Sequence, residues 1–394
     1  MTMIIDLSRD LMEEILSRVP ITSLPAVRSA CKGWNGLSKD KSFTKKYSSD
    51  KAAKEFLLIM FYDSRVSLIG VNLHEMFNHE ELFDTSCCIK KIGNLPNQVV
   101  ISEVFECDGL LLCVTKGMPR LVAWNPYLGQ VRWILARRKF HILDKFAIGY
   151  DNSNRNSNVY KILWFWFRYE HITNKRITDC EIYRFKSNSW KVLDVFPSDC
   201  DIESHQCSVS LKGNTYFVAR QSFGEKKYGL VCFDFTRERF GPHLHLPFDY
   251  GVKDIVTLSS VREEQLAVLL KRSRDTYEME IWITTNIEPN TVSWRKFLAV
   301  KDESILNPIR YIALERCSFF VIDEERKAVV VCVKDKEKRT TNVAYVIRED
   351  GCYKEMLLGQ SNHLPLMCSY VPSSVQIHHK GPVPAGGKRK KLEY

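Results

Sequence analysis

Apolar positions in the first 50 residues recur with helical spacing. Leu11, Ile15, Leu16 and Val19 fall at i, i+4, i+5 and i+8, which is one face of a helix. Ser8 stands where an N-cap accepts from first-turn amides, and Asp10 and Glu13 sit where a helix dipole favours negative charge. Pro20 ends the helix. Leu24, Val27, Cys31 and Trp34 predict a second short amphipathic helix. A unit of about fifty residues buries too little apolar surface to be comfortably stable alone. It reads as a docking piece whose apolar face a partner completes.

From Phe56 to about Ile377 the period changes. Short apolar and aromatic runs alternate with turn residues, and one hairpin recurs: an aromatic-rich strand, a polar turn, then a strand opening near Trp or Phe. Its copies run from Leu121 through Trp124-Asn-Pro126 to Trp133, from Glu181 to Trp190, and from Leu230 to Phe240; a looser one joins Ile281-Trp282 to Ser293-Trp294. Turn chemistry fits the first three: Asn125-Pro126 with Gly129, Ser187-Asn188-Ser189, and Thr236 to Arg239. A strand leads each copy, at Gly109–Val114, Tyr160–Phe167, Thr215–Ala219 and Gln265–Leu270. The unit is therefore about four strands, repeated every roughly 40 to 60 residues, the spacing of propeller blades. Strands near Ser318–Ile322, Val329–Val333 and Asn342–Ile347 supply a fifth unit. Those at Phe56–Met60 and Ser67–Val71 close the ring with the C-terminal ones. The expected fold is thus a small all-α unit (residues 1–50) followed by an all-β domain (51–377). A six-bladed β-propeller is expected, with five to seven blades allowed by the uneven spacing; a pair of β-sandwiches is the alternative.

Composition changes this picture little. Hydrophobic residues make up 45% and charged residues 26% of the 394, ordinary for a globular chain. No apolar run approaches the ~18 residues of a membrane helix, the N-terminus is not a secretory signal, and no Asn-x-Ser/Thr acceptor occurs. Thirteen cysteines, several inside apolar runs (Cys113, Cys332), read as free buried thiols in a reducing compartment. Cys200, His205 and Cys207 cluster, as do His243 and His245, but without a matching second half, so no metal is expected.

The formal charge of +10 is uneven. Lys388, Arg389, Lys390 and Lys391 lie in a Gly/Pro-rich tail, residues 378–394, which is expected to be disordered and to suit a nuclear import signal. Arg137-Arg138-Lys139 and the cluster from Lys334 to Arg339 read as solvated turn residues. No phosphate loop, nucleophile elbow or His-Glu-x-x-His is present, and adjacent acidic pairs (Glu80-Glu81, Glu263-Glu264) read as solvated loops. No catalytic residue and no cofactor is expected.

The opening segment has Leu7, Asp10-Leu11, Glu14-Ile15-Leu16, Arg18-Val19-Pro20, Ser23-Leu24, Arg28, Cys31-Lys32, Trp34 and Phe43 in order. It resembles an F-box, the helical motif by which substrate receptors attach to the Skp adaptor of SCF ubiquitin ligases. Two departures, Leu7-Ser8 for the usual Leu-Pro and Ala30-Cys31-Lys32 for Val-Cys-Lys, each remove apolar contact worth about 1 kcal/mol. The resemblance implies an adaptor-binding unit formed or supported by Leu7, Leu11, Ile15, Leu16, Leu24 and Trp34. Downstream, Cys107-Asp-Gly-Leu-Leu-Leu-Cys113, Trp124-Asn-Pro126, Ala147–Asp151, Ile182-Tyr183, Asn188-Ser-Trp190, Leu211–Tyr216 and Ser369-Tyr-Val-Pro-Ser373 resemble, in order, the type 1 F-box-associated domain of plants. The match covers most of residues 56 to 377. It implies a non-catalytic substrate-recognition subunit, in nucleus and/or cytoplasm, linked through the Skp adaptor to cullin and RING subunits and holding an unknown protein substrate. Neither membrane nor nucleic acid is an expected partner on this reading. The alternative is a non-ligase module binding nucleic acid or glycan.

Overall fold

The computed structural model describes residues 7–19, 23–40, 42–44, 46–47, 56–62, 65–71, 89–95, 99–117, 120–141, 143–153, 158–170, 175–195, 197, 200–202, 208–221, 227–251, 254–261, 264–272, 277–306, 320–324, 327–334, 341–351, 353–360 and 366–377. Helix α1 (Arg9–Arg18) opens at Ser8, whose Oγ accepts the Leu11 amide at 3.3 Å. It stops one residue short of Val19, which is extended (φ −73°, ψ 129°) because a residue ahead of proline is pushed out of the helical region. The expected second helix is two: α2 (Leu24–Ala30) and α3 (Lys32–Leu37) meet at Cys31, extended at φ −150°, ψ 135°. Ser29 bonds back to the Ala26 carbonyl at 2.6 Å, and α3 carries Gly33 and Gly36, so helix propensity around the break is weak.

Among the described residues, 25 strands form six antiparallel sheets. Blade 1 holds β1 (Phe56–Tyr62), β2 (Arg65–Val71) and β3 (Ile89–Asn94). Blade 2 is β4 (Ile101–Cys107), β5 (Leu110–Thr115), β6 (Arg120–Asn125) and β7 (Gln130–Leu135). Blade 3 is β8 (Lys145–Asp151), β9 (Val159–Glu170), β10 (Lys175–Arg184) and β11 (Ser189–Leu193). In blade 4 the inner strand is split into β12 (Cys200–Ile202) and β13 (Val209–Leu211), both pairing with β14 (Asn214–Gln221), followed by β15 (Tyr228–Asp234) and β16 (Arg239–His245). Blade 5 is β17 (Ile255–Val261), β18 (Gln265–Lys271), β19 (Met279–Glu288) and β20 (Thr291–Val300). After the short α4 (Glu303–Leu306) comes blade 6: β21 (Phe320–Asp323), β22 (Ala328–Lys334), β23 (Thr341–Arg348) and β24 (Tyr353–Gln360).

The last strand, β25 (Leu366–Ser369), returns to blade 1 and pairs with β1 in the register Leu58↔Ser369 to Phe61↔Leu366. The C-terminal strand closes the ring, as the sequence pattern predicts. Neighbouring inner strands touch in order, β4 with β8, β8 with β13, β13 with β17, β17 with β21 and β21 with β25, while β2 touches β4. That circle excludes a sandwich pair.

Strands β5 and β18 are buried almost end to end, whereas the outer β11 and β20 alternate with solvent. A blade's inner strands lie between two neighbouring blades and bury both faces, so they read as continuous apolar runs. Separate clusters fill the gaps, such as Ile148, Trp164 and Tyr183 between blades 2 and 3, and Phe165, Phe217 and Phe233 between blades 3 and 4. Blades 1 and 2 share theirs with the helices.

Candidate functional site

Helix α1 is apolar on two sides. Met12, Leu16 and Val19 pack toward the propeller with Leu24, Leu37, Phe43 and Tyr47 and, from the blades, Ile59, Trp124 and Tyr127. Leu7, Leu11 and Ile15 form the neighbouring stripe and, among the described residues, do not join that core. Leu11 keeps 47% of its surface exposed, and Leu7 and Ile15 are half-buried. The six residues expected at the adaptor face therefore divide. Leu16 and Leu24 are fully buried, Trp34 is half-buried against the same cluster, and Leu7, Leu11 and Ile15 lie on the open side. Arg9 joins the ends of the unit by pairing with Glu13 at 3.1 Å and Asp40 at 3.2 Å, exposed contacts that solvent screens.

The seat beneath this unit is one turn. Pairing of Asn125 with Gln130 leaves a four-residue loop, Pro126 to Gly129, whose last residue is left-handed (φ +66°), a conformation glycine adopts without a Cβ penalty. Asn125 is fully buried and organises the turn: its Oδ1 accepts the Leu128 amide at 3.0 Å, and its Nδ2 donates to the Ser373 and Val375 carbonyls at 2.9 and 2.8 Å. Tyr127 does the holding. Its hydroxyl donates to the Ser38 carbonyl at 2.7 Å, and its amide donates to the Tyr370 hydroxyl at 3.1 Å. Its ring lies 6.1 Å from that of Tyr47 and 4.4 Å below the Arg28 guanidinium, which also donates to the Tyr127 carbonyl and to Ser38 Oγ. Burial raises the Tyr127 hydroxyl above its ordinary value, so it stays a donor. Beside it, Gly109 (φ +75°) lets the chain of residues 371–373 pass: a Cβ there would stand 2.3 Å from the Val371 carbonyl oxygen.

Blades 3 and 4 carry the same turn at the same end. Arg184 pairs with Ser189 around Phe185 to Asn188, and Asp234 with Arg239 around Phe235 to Glu238. The last residues, Asn188 (φ +54°) and Glu238 (φ +52°), are again left-handed. Here the middle residues Lys186-Ser187 and Thr236-Arg237 frame an open cavity of about 740 Å³, completed by Asp151, Ser153, Val159, Lys161, Arg184 and Glu238. Lys161 is only 6% exposed; its Nζ meets Asp151 Oδ2 at 3.1 Å and Glu238 Oε1 at 2.9 Å, and donates to the Phe235 carbonyl at 2.8 Å. Arg184 adds Nε and Nη2 to Glu238 at 2.6–3.1 Å. Burial pushes both carboxyls up, but hydrogen bonds outweigh it, from Arg184 and Lys161 at Glu238 and from Ser153 and Lys161 at Asp151. Both carboxyls end below the usual range. These pairs also hold Glu238 in a backbone conformation that costs a branched or charged residue more than glycine.

Nothing in the local sequence marks this network, because Lys161 sits inside the apolar strand Tyr160–Phe167 and Glu238 arrives from the next blade. Arg138, read as solvated, is half-buried: its guanidinium lies 3.9 Å over the Trp166 ring and donates to Asp144 at 2.9 Å, while Arg137 and Lys139 are exposed. Among the described residues Cys107, Cys113, Cys180, Cys200, Cys232 and Cys332 are buried free thiols and Cys31 is half-buried; burial pushes Cys180 and Cys332 up to about 12. Cys200 is buried in β12, and the His243 and His245 rings stand 5.4 Å apart. His205, Cys207, the acidic pair at 80–81, Glu263 and the basic residues Lys388 to Lys391 lie outside the described residues. Among the described residues no three potential metal ligands converge, and no helix is long and apolar enough to cross a membrane.

Two segments of the chain match known families. Residues 4–46 match the F-box domain, and residues 57–377 match the F-box associated beta propeller domain. A putative F-box protein of Arabidopsis thaliana is 49% identical over 383 residues, spanning 96% of this chain and 99% of the relative. An F-box/kelch-repeat protein of the same plant is 45% identical over 406 residues, spanning 96% of this chain and all of the relative. With an F-box seated on a six-sheet ring and both segments matched over most of their length, this chain belongs to the F-box-associated β-propeller family of F-box proteins.

Proposed function

We propose that this chain is the substrate-receiving subunit of an SCF-type ubiquitin ligase, attached by α1 to a Skp adaptor and through it to cullin and RING subunits. One observation carries the reading: beside the packed side of α1 runs an aliphatic stripe, exposed Leu11 flanked by half-buried Leu7 and Ile15, that does not join the core cluster. Such a stripe is what an apolar groove on a partner covers. Leu16, Leu24 and Trp34 act from behind, fixing the helix on the propeller so that the stripe is presented rigidly. The propeller holds a protein substrate, and the chain itself makes and breaks no bond. Its contribution is proximity, bringing substrate lysines to a charged conjugating enzyme. Nucleus and cytoplasm both suit this role, with Lys388 to Lys391 as the import signal.

The test is a titration of a plant Skp-type adaptor against the full chain and its Leu11→Asp/Ile15→Asp variant. Desolvating a carboxylate in an apolar groove predicts at least about 100-fold weaker binding. Leu11 is exposed and Ile15, half-buried, stands outside the core cluster, so the variant loses less stability than a core substitution and stays folded for the titration. Absence of binding by the parent chain, or equal binding by the variant, overturns the proposal.

A further inference from the structure

We infer that the cavity between blades 3 and 4 binds an anionic side chain of the substrate protein, a carboxylate or a phosphate; this rests on the receptor reading above. Four cations line the cavity against two carboxylates: Lys161, Arg184, Lys186 and Arg237 against Asp151 and Glu238. Both carboxylates are already engaged by hydrogen bonds. Glu238 accepts from Arg184 and Lys161, and Asp151 from Lys161 and the Ser153 amide. Asp234, behind the turn, accepts the amides of Thr236 and Arg237 at 2.9 Å each.

The cations are not used up. Lys186 is exposed and has no ion pair among the described residues. Arg237 spends Nη1 on Asp234 at 3.0 Å while 64% of its side chain faces solvent. Arg184 spends Nε and Nη2 on Glu238 and keeps Nη1. An entering anion thus meets three open donor edges, with the hydroxyl groups of Ser153 and Ser187 nearby, and no unspent carboxylate. Charge-assisted N–H donors such as the Lys186 ammonium, Arg184 Nη1 and the uncommitted side of Arg237 suit carboxylate and phosphate oxygens alike.

The cavity is preformed. Both turns are locked by left-handed residues that themselves belong to hydrogen-bond networks: Asn188 Oδ1 accepts from Arg132 at 2.9 Å, and Glu238 from Arg184 and Lys161. Its volume of about 740 Å³ admits several side chains of an extended segment. The corresponding turn of blade 2 is covered by the F-box through Tyr127, whereas Lys186, Ser187 and Arg237 of these two stay exposed.

The experiment uses the full chain bound to its adaptor and four labelled probes read by anisotropy. Three are degenerate dodecapeptide pools with a fixed central pair of Glu, phosphoserine or Gln; the fourth is a single-stranded RNA 12-mer. At least one charged pool is expected to bind about tenfold more tightly than the Gln pool, with the preference falling as salt rises. Whichever charged pool binds more tightly identifies the anion as carboxylate or phosphate. Lys186→Glu/Arg237→Glu is expected to abolish the preference, whereas Lys116→Glu/Arg120→Glu, an equal charge change at the other end of blade 2, keeps it. Equal binding of the three peptide pools, a preference that survives Lys186→Glu/Arg237→Glu, or tighter binding of RNA overturns the inference. Adaptor affinity is measured on the same samples. Its absence in the parent speaks against the receptor reading, and loss of pool discrimination with adaptor binding intact speaks against the cavity alone.

Discussion

The third-to-fourth-strand turn of blade 2 and its counterparts in blades 3 and 4 share a backbone and do opposite things. Each spans four residues and ends left-handed, at Gly129, Asn188 and Glu238. In blade 2 the second residue is Tyr127, whose ring and hydroxyl anchor the F-box helices. In blades 3 and 4 it is Lys186 and Thr236, and the turns frame a charged cavity. A repeat architecture fixes the frame, and the side chain at one position decides whether the frame is buried or open. Blade 2 is joined to the helices mainly by packing, and blades 3 and 4 to one another partly by ion pairs, so the two regions should fail differently.

The largest effect is expected from Tyr127→Ala. Removing a fully buried ring costs about 3–5 kcal/mol, and because that ring touches both units, hydrogen exchange of the α1 to α3 amides should rise with the loss of stability. Unchanged exchange in these helices would show that the F-box holds itself without the seat. Next comes Lys161→Met, which leaves Asp151 and Glu238 without their shared cation. Both carboxyls are partly solvated, which brings the cost below that of a fully buried pair, to about 2–3 kcal/mol at neutral pH. Its pH dependence has a definite sign. Because the folded chain holds both carboxyls below their ordinary values, their stabilisation is complete above the usual carboxylate range of about 4 and is lost as pH falls through the folded values. The gap in melting temperature between parent and Lys161→Met should therefore narrow as the pH falls below about 4. A gap that stays constant or widens would mean that the ammonium is not paired as described. The smallest effect is that of Tyr127→Phe, which keeps the ring and removes only the bond to Ser38, for about 1 kcal/mol. A cost as large as that of the alanine variant would locate the seat in the hydroxyl rather than the ring.

Much of the fold is legible in the chain because propeller strands leave a strong local record: turn residues at fixed offsets and apolar runs buried on both sides. Ring closure by the C-terminal strand follows from the same pattern. What escapes is anything made between repeats. Trp124-Asn-Pro126 and Ser369-Tyr-Val-Pro-Ser373 read as two separate weak motifs, yet Asn125 binds the Ser373 carbonyl and Tyr370 the Tyr127 amide, across more than 240 positions. Lys161 reads as an interruption in an apolar strand until Glu238 arrives from blade 4. In α1, spacing merges Leu11, Ile15, Leu16 and Val19 into one broad face, and only the presence of the propeller divides it into a packed side and an open side. Cys31 satisfies the helical period while breaking the helix, which periodicity cannot register.

That division of α1 is the central claim, and one paired measurement tests it most directly: adaptor affinity and melting temperature for Leu11→Asp/Ile15→Asp and for Leu16→Ala. The open stripe predicts that the first variant loses adaptor affinity while its melting temperature falls far less than that of Leu16→Ala. The packed side predicts that the second loses about 2–5 kcal/mol of stability, while the molecules that stay folded bind the adaptor nearly as the parent does. The reverse assignment, with Leu16→Ala weakening the adaptor at full stability and the aspartate pair unfolding the chain, would contradict it.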